Sequence, residues 1–168
     1  HTEPRIPKLT MVSPPQGDAG AIAEVARLLV AAESPVLVAD RAARTQAGVG
    51  YLIELAELLQ APVVNLWARM NFPTHHPLNQ TLRTAAVIAD ADLIVGLEVG
   101  NFFGLVHRSR DQIHRTSEPV TKAGVKLVNI TVTDLFVKSN YQDFQRYPEL
   151  DLAVAGDVLV RLDQAEHL

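Results

Sequence analysis

The chain has 168 residues, a length that fits one domain and buries roughly 70% of its unfolded surface on folding. Its 15 basic and 19 acidic residues leave a net charge of −4 with no basic run, which removes the electrostatic footprint of a nucleic-acid binder. It has no cysteine, so disulfides, thiolate metal sites and a cysteine nucleophile are excluded together, while cytoplasm and periplasm both stay open.

No apolar run reaches the roughly 20 residues that span a bilayer, and the amino terminus lacks a charged-then-apolar signal pattern. The first residue is His1, and Pro4, Pro7, Pro14 and Pro15 follow with little periodicity. Residues 1–17 therefore read as an interdomain linker, and residues 18–168 as one domain of a longer chain.

Ile22, Val25, Ala26, Leu29 and Ala32 recur at helical spacing, with Asp18 placed to cap the helix and Ser34-Pro35 to end it. Residues 36–39 are uniformly apolar, as a strand covered on both faces should be. Thr45 is placed to cap a second helix with the stripe Val49, Leu52, Ile53, Ala56 and Leu59. Pro62 cannot continue that helix, and residues 62–66 read as a second buried strand. A polar crossover carrying Phe72-Pro73 and His76-Pro77 follows, then a helical patch over residues 84–89. Three further aliphatic strands are predicted at 93–97, 126–131 and 152–154, and a closing helix with Val158, Leu159, Leu162 and Ala165 on one side. Residues 98–124 show no clear period. Strands alternating with helices predict an α/β fold, a doubly wound, Rossmann-like parallel sheet of five or six strands in a single domain.

In such a sheet ligands lie outside the carboxyl ends of the strands. There the sequence places Asp40, Arg41 and Arg44, then Asn65, Trp67 and Arg69, then Glu98 and Asn101, then Thr131 and Thr133. Arg41 and Arg44 precede a helix whose free amides favour an anion. The plainer reading has both arginines solvated or paired with Asp40 and Glu98. ADRAART, residues 39–45, lacks the closely spaced glycines that let a backbone approach a pyrophosphate. Trp67 is the sole tryptophan; it is a packing or domain-interface residue, or a platform for a flat ligand. His75 and His76 beside Pro77 read as part of a turn rather than a metal site. His107 and His114 would be roughly 10 Å apart along a helix, too far to share an ion. Neither HExxH nor GxSxG occurs, and no catalytic residue or metal ligand is assigned.

The order of these features, APVVNLWARMNFPTHHPLNQ followed by ADADLIVGLE, resembles the central domain of thiamine diphosphate-dependent enzymes of the acetolactate synthase large subunit type. There a phenylalanine-proline and a histidine-proline follow the second strand, and an alanine-aspartate pair announces the third. The resemblance covers residues 14–162. It implies a three-domain parent that decarboxylates a 2-keto acid with or without carboligation, binds thiamine diphosphate and magnesium in its flanking catalytic domains, and works as a cytoplasmic homodimer or homotetramer. The central domain is then a scaffold that carries no thiamine chemistry. Gly17-Asp18-Ala19 and Gly156-Asp157-Val158 lack the last glycine of the family's magnesium motif, so both aspartates read as helix caps. Relatives hold FAD, ADP or nothing in the crevice. A free-standing FAD- or ADP-binding module is the first alternative, and an independent small enzyme of doubly wound class the second.

Overall fold

The computed structural model describes residues 15–111, 113–132 and 146–158. Along the chain these form α1 (Ala19–Ala31), β1 (Pro35–Ala39), α2 (Gln46–Leu59), β2 (Val63–Asn65), α3 (Thr84–Asp90), β3 (Leu93–Leu97), α4 (Phe102–Val106), β4 (His107–Asp111), β5 (Thr116–Pro119), β6 (Lys126–Thr131) and β7 (Leu152–Ala155). Short 3₁₀ turns occupy Leu66–Ala68 and Thr81–Arg83. Five strands pair in parallel in the order β2-β1-β3-β6-β7. This is the doubly wound arrangement predicted, with its switch point between β1 and β3.

The alternation of side chains along each strand divides the core into two layers. Leu37 and Ala39 face one layer with Leu93, Val95, Val128 and Ile130, and α1 and α2 close it with Val25, Leu29, Leu52 and Ala56. Val36 and Val38 face the other, covered by Ile88 of α3 and Phe102 and Val106 of α4. Burial on both faces is why these strands are uniformly aliphatic.

Two of the predicted amino-terminal caps form: Asp18 Oδ1 accepts from Ala21 N at 2.9 Å, and Thr45 Oγ1 from Gly48 N at 3.0 Å, while the helix that Asp157 would cap lies outside the described residues beyond Val158. The starts of β1 and β3 are tied by Asp92, whose carboxylate accepts from the N–H groups of Glu33 and Ser34 at 2.8 and 2.9 Å. Burial alone would raise the Asp92 pKa, yet these backbone donors hold it below the ordinary carboxylate value. His76 is part of a turn, as expected. Its Nδ1 accepts from Leu78 N at 3.2 Å, and its ring meets Phe72 edge-on at 4.8 Å. Leu78 and Gln80 then pair with Val63, covering the open edge of β2.

The segment without sequence periodicity replaces a crossover helix with two pieces. The first is α4, a single short helix capped by Asn101, whose side chain accepts from Gly104 N at 3.0 Å. The second is an antiparallel ribbon of β4 and β5, separate from the main sheet. Glu118 on β5 receives both Arg108 and Arg110 from β4, at 2.5 Å from each Nε. His107 begins β4 and His114 lies in the turn, so the two share no helical face. Residues 15–17 pack against the end of β7: Pro15 O accepts from Asp157 N at 3.0 Å, and a Cβ on Gly156 would lie 2.7 Å from Gly17 N. The closing helix is entered at Val158, and the rest of that expectation, like residues 1–14 of the linker and Thr133, lies outside the described residues. No helix among the described residues is long and apolar enough to cross a membrane.

Candidate functional site

The crevice at the carboxyl ends of the strands is built from two hydrogen-bonded groups of side chains. In the first, Asp40 leaves β1 with its carboxylate 5% exposed and accepts from Arg69 Nε at 2.8 Å. Its other oxygen faces Gly100 N at 3.4 Å. Asn71, which sequence reasoning did not single out, sits at the centre. Its Oδ1 accepts from Ala43 N at 2.9 Å, while its Nδ2 donates to Asp40 O at 2.5 Å and to Asn65 Oδ1 at 2.8 Å. Asn65 in turn donates to the carbonyl of Arg69 and takes Thr81 Oγ1 on its own N–H at 2.9 Å. One asparagine thus locks the turn after β1 to the loop after β2. The only signal in the sequence was its place immediately before Phe72-Pro73.

The second group surrounds Glu98, which follows β3 with a left-handed backbone at φ 56° and a residue exposure of 4%. Glu98 Oε2 accepts from Thr131 Oγ1 at 3.1 Å and Val132 N at 3.3 Å, while Oε1 is buried without a hydrogen-bond partner among the described residues. Burial is the chief cause that raises the Glu98 pKa above the ordinary carboxylate value; the charge of Asp157 adds to it, and the donors of Val132, Thr131 and Val158 oppose it. A carboxyl whose folded pKa is raised binds its proton more tightly in the native state. Its stabilising contribution is complete below the ordinary carboxylate pKa and is lost as pH rises through the folded value. Glu98→Gln keeps the shape and removes the titration. Urea midpoints measured from about pH 4 to pH 8 should therefore fall less for this variant than for the parent chain, with the variant at least as stable at the upper end. Parallel curves would show that Glu98 carries no such coupling.

Of the ten residues that the sequence places at the strand ends, Thr133 lies outside the described residues, Asn101 caps α4, and the other eight end or follow β1, β2, β3 and β6; the pairing of the arginines differs from expectation. Arg44 joins neither Asp40 nor Glu98; its Nη2 pairs with Asp157, because the fold brings the end of β7 beside the start of α2. Asp40 is already held by Arg69. Arg41 alone matches the solvated reading. It is exposed, has no ion-pair partner among the described residues, and places Nη2 3.1 Å from where a Cβ on Gly100 would be. Trp67 does not pack into this domain: it is 72% exposed, in a left-handed conformation at φ 58°.

Neither phosphate nor metal finds a ready-made seat in this arrangement. Two of the three arginines near the start of α2 are engaged by buried carboxylates, and Thr45 occupies Gly48 N. Among the described residues no three histidine, aspartate or glutamate side chains gather where they could hold an ion. The described residues therefore assemble no donor set for a magnesium-bound diphosphate.

Comparison with known proteins agrees with this architecture. The profile of the family described as thiamine pyrophosphate enzyme, central domain, matches residues 22–164. The chain belongs to that family. No curated protein matches it. Among solved structures, benzoylformate decarboxylase from Polynucleobacter necessarius is 22% identical with a TM-score of 0.67, over 98% of this chain and 30% of that one. An enzyme from Mycobacterium smegmatis described as thiamin diphosphate-dependent is 24% identical with a TM-score of 0.62, over 94% and 30%. The thiamine diphosphate-dependent 4-hydroxybenzoylformate decarboxylase of Rhodococcus jostii RHA1 is 20% identical with a TM-score of 0.62, over 94% and 28%. At these identities the likeness is one of fold. This central domain spans less than a third of each of those chains.

Proposed function

We propose that the domain is the central scaffold of a thiamine diphosphate-dependent decarboxylase or carboligase acting on 2-keto acids, of the acetolactate synthase type. Its flanking domains would supply the magnesium and diphosphate ligands, in a cytoplasmic homodimer or homotetramer. The observation that carries the scaffold role is the self-pairing of the crevice: Arg69 with Asp40, and Arg44 with Asp157. Cations held by buried carboxylates of the same chain would have to leave those partners before gripping a phosphate, and breaking such a pair is costly. Asp40, Arg44, Asn65, Arg69, Glu98 and Thr131 then serve to fix loops rather than to bind.

The alternative, an FAD- or ADP-binding module, is favoured by one feature, Arg41, which precedes α2 and has no ion-pair partner among the described residues. Titration calorimetry of the 168-residue chain separates the readings. The scaffold reading expects no binding of thiamine diphosphate with magnesium, nor of ADP or FAD, tighter than about 100 μM. Thiamine diphosphate binding in the micromolar range would refute it. A flavin spectrum on the purified chain, with affinity lost in Arg41→Ala, would establish the alternative.

A further inference from the structure

The loop after β2 presents two large apolar side chains to solvent from a backbone that has little freedom to retract them. Trp67 is 72% exposed and Met70 87%. The other exposed aliphatic residues sit singly, Val30 and Leu58 on helices, Leu82 in a 3₁₀ turn and Ile113 in the turn between β4 and β5, which is ordinary for any surface. Here the pair is three residues apart on a loop tied down at both ends. Asn65 bonds to Thr81 and to the carbonyl of Arg69, Arg69 Nε is held by Asp40, and Asn71 is fixed by three hydrogen bonds. Trp67 also adopts a left-handed conformation at φ 58°, which a bulky residue rarely takes. Orientation imposed on an exposed tryptophan in this way is the geometry of an interface anchor. Between Trp67 and Met70 in the chain lies Arg69, whose side chain is 47% exposed and is engaged by Asp40 through Nε.

We infer that Trp67 and Met70 form a docking knob that seats in an apolar, carboxylate-rimmed pocket on a flanking domain of the same enzyme. The occupant follows from two facts. The family is defined by a central domain, which has neighbours in its own polypeptide, and more than two thirds of each similar solved chain lies outside the matched region. The rim follows from charge: a pocket receiving the knob meets the exposed part of the Arg69 guanidinium, which Asp40 engages through Nε, and acidic groups complement it. The inference rests on the domain's place beside the catalytic domains and gives the scaffold a specific contact. It needs no particular substrate.

Oxidative footprinting with peptide-resolved mass spectrometry tests it, because indole and thioether oxidise according to exposure. Trp67 is the only tryptophan of the chain, which makes its peptide unambiguous. In the 168-residue chain both side chains should oxidise as fast as in a free peptide, and in the full-length enzyme about tenfold more slowly. Trp67→Gly suits the left-handed backbone and should leave the circular dichroism of the separate domain unchanged. In the full-length enzyme the same variant should restore rapid Met70 oxidation and speed limited proteolysis between domains. Equal oxidation in both contexts overturns the proposal. Protection of the separate domain on raising its concentration, or on adding ADP or FAD, overturns it in favour of a second copy or a stacked ligand. Absence of thiamine diphosphate-dependent decarboxylation by the full-length enzyme would instead count against the proposed function, since the footprint makes no use of activity.

Discussion

Asn71→Ala should lower the stability of the domain by about 3 kcal/mol, the largest effect expected from any single polar side chain in the crevice. The residue is 3% exposed, and its amide makes three hydrogen bonds that join the turn after β1 to the loop after β2. Truncation leaves the Ala43 N–H and the Asp40 carbonyl without that partner in a site where water has little access, and each unsatisfied group costs roughly 1–3 kcal/mol. Asn71→Asp should be at least as damaging. Its carboxylate cannot donate, so it sets an anion against the Asp40 carbonyl and Asn65 Oδ1. Urea unfolding is the measurement: the midpoint should drop while the slope stays constant, since the native surface barely changes. A loss below about 0.5 kcal/mol would mean that the loops are held by other contacts. The same variant should free the loop that carries Trp67, whose fluorescence then reports added motion.

What could be read from the sequence divides along the range of the interactions involved. The bounds of β3 and β6 were legible to the residue, because a strand buried on both faces is an aliphatic run with polar ends. The caps at Asp18 and Thr45 were legible because a cap is a contact three residues long. The β4–β5 ribbon was not. HRSRD and TSEP show no apolar alternation, since this hairpin is held by Glu118 between two arginines rather than by a buried face. The crevice shows the same division. Its residues could be placed at strand ends, yet the partners of Arg69 and Arg44 lie 29 and 113 residues away, and only the assembled sheet selects Asp40 and Asp157 over other carboxylates. Asn71 escaped notice because an asparagine beside a Phe-Pro looks like turn chemistry until its burial is known.

Gly96→Ala should cost about 3 kcal/mol through steric overlap alone. Gly96 sits within β3, paired with Val38 on one side and Asn129 on the other. A Cβ there would lie 2.4 Å from Phe102 Cε2 and 2.8 Å from Asn129 Oδ1. Glycine normally weakens a strand, so its presence in a central one signals close approach by another element. That element is α4, which has only five residues and covers its face of the sheet by laying the fully buried ring of Phe102 on the bare backbone of Gly96. If this contact is the cause, Phe102→Leu should relieve much of the Gly96→Ala penalty, and the double-mutant cycle should show a coupling of roughly 1–2 kcal/mol. Strict additivity would place the cost in strand geometry or at Asn129 instead. The cycle also reaches the crevice, because Glu98 lies two residues beyond Gly96 and Asn101 caps the helix that Phe102 begins. A shifted α4 must pull on Glu98 through Gly100, so Gly96→Ala should also change the pH dependence of unfolding that Glu98 imposes, whereas a defect confined to strand geometry would leave that dependence as it was.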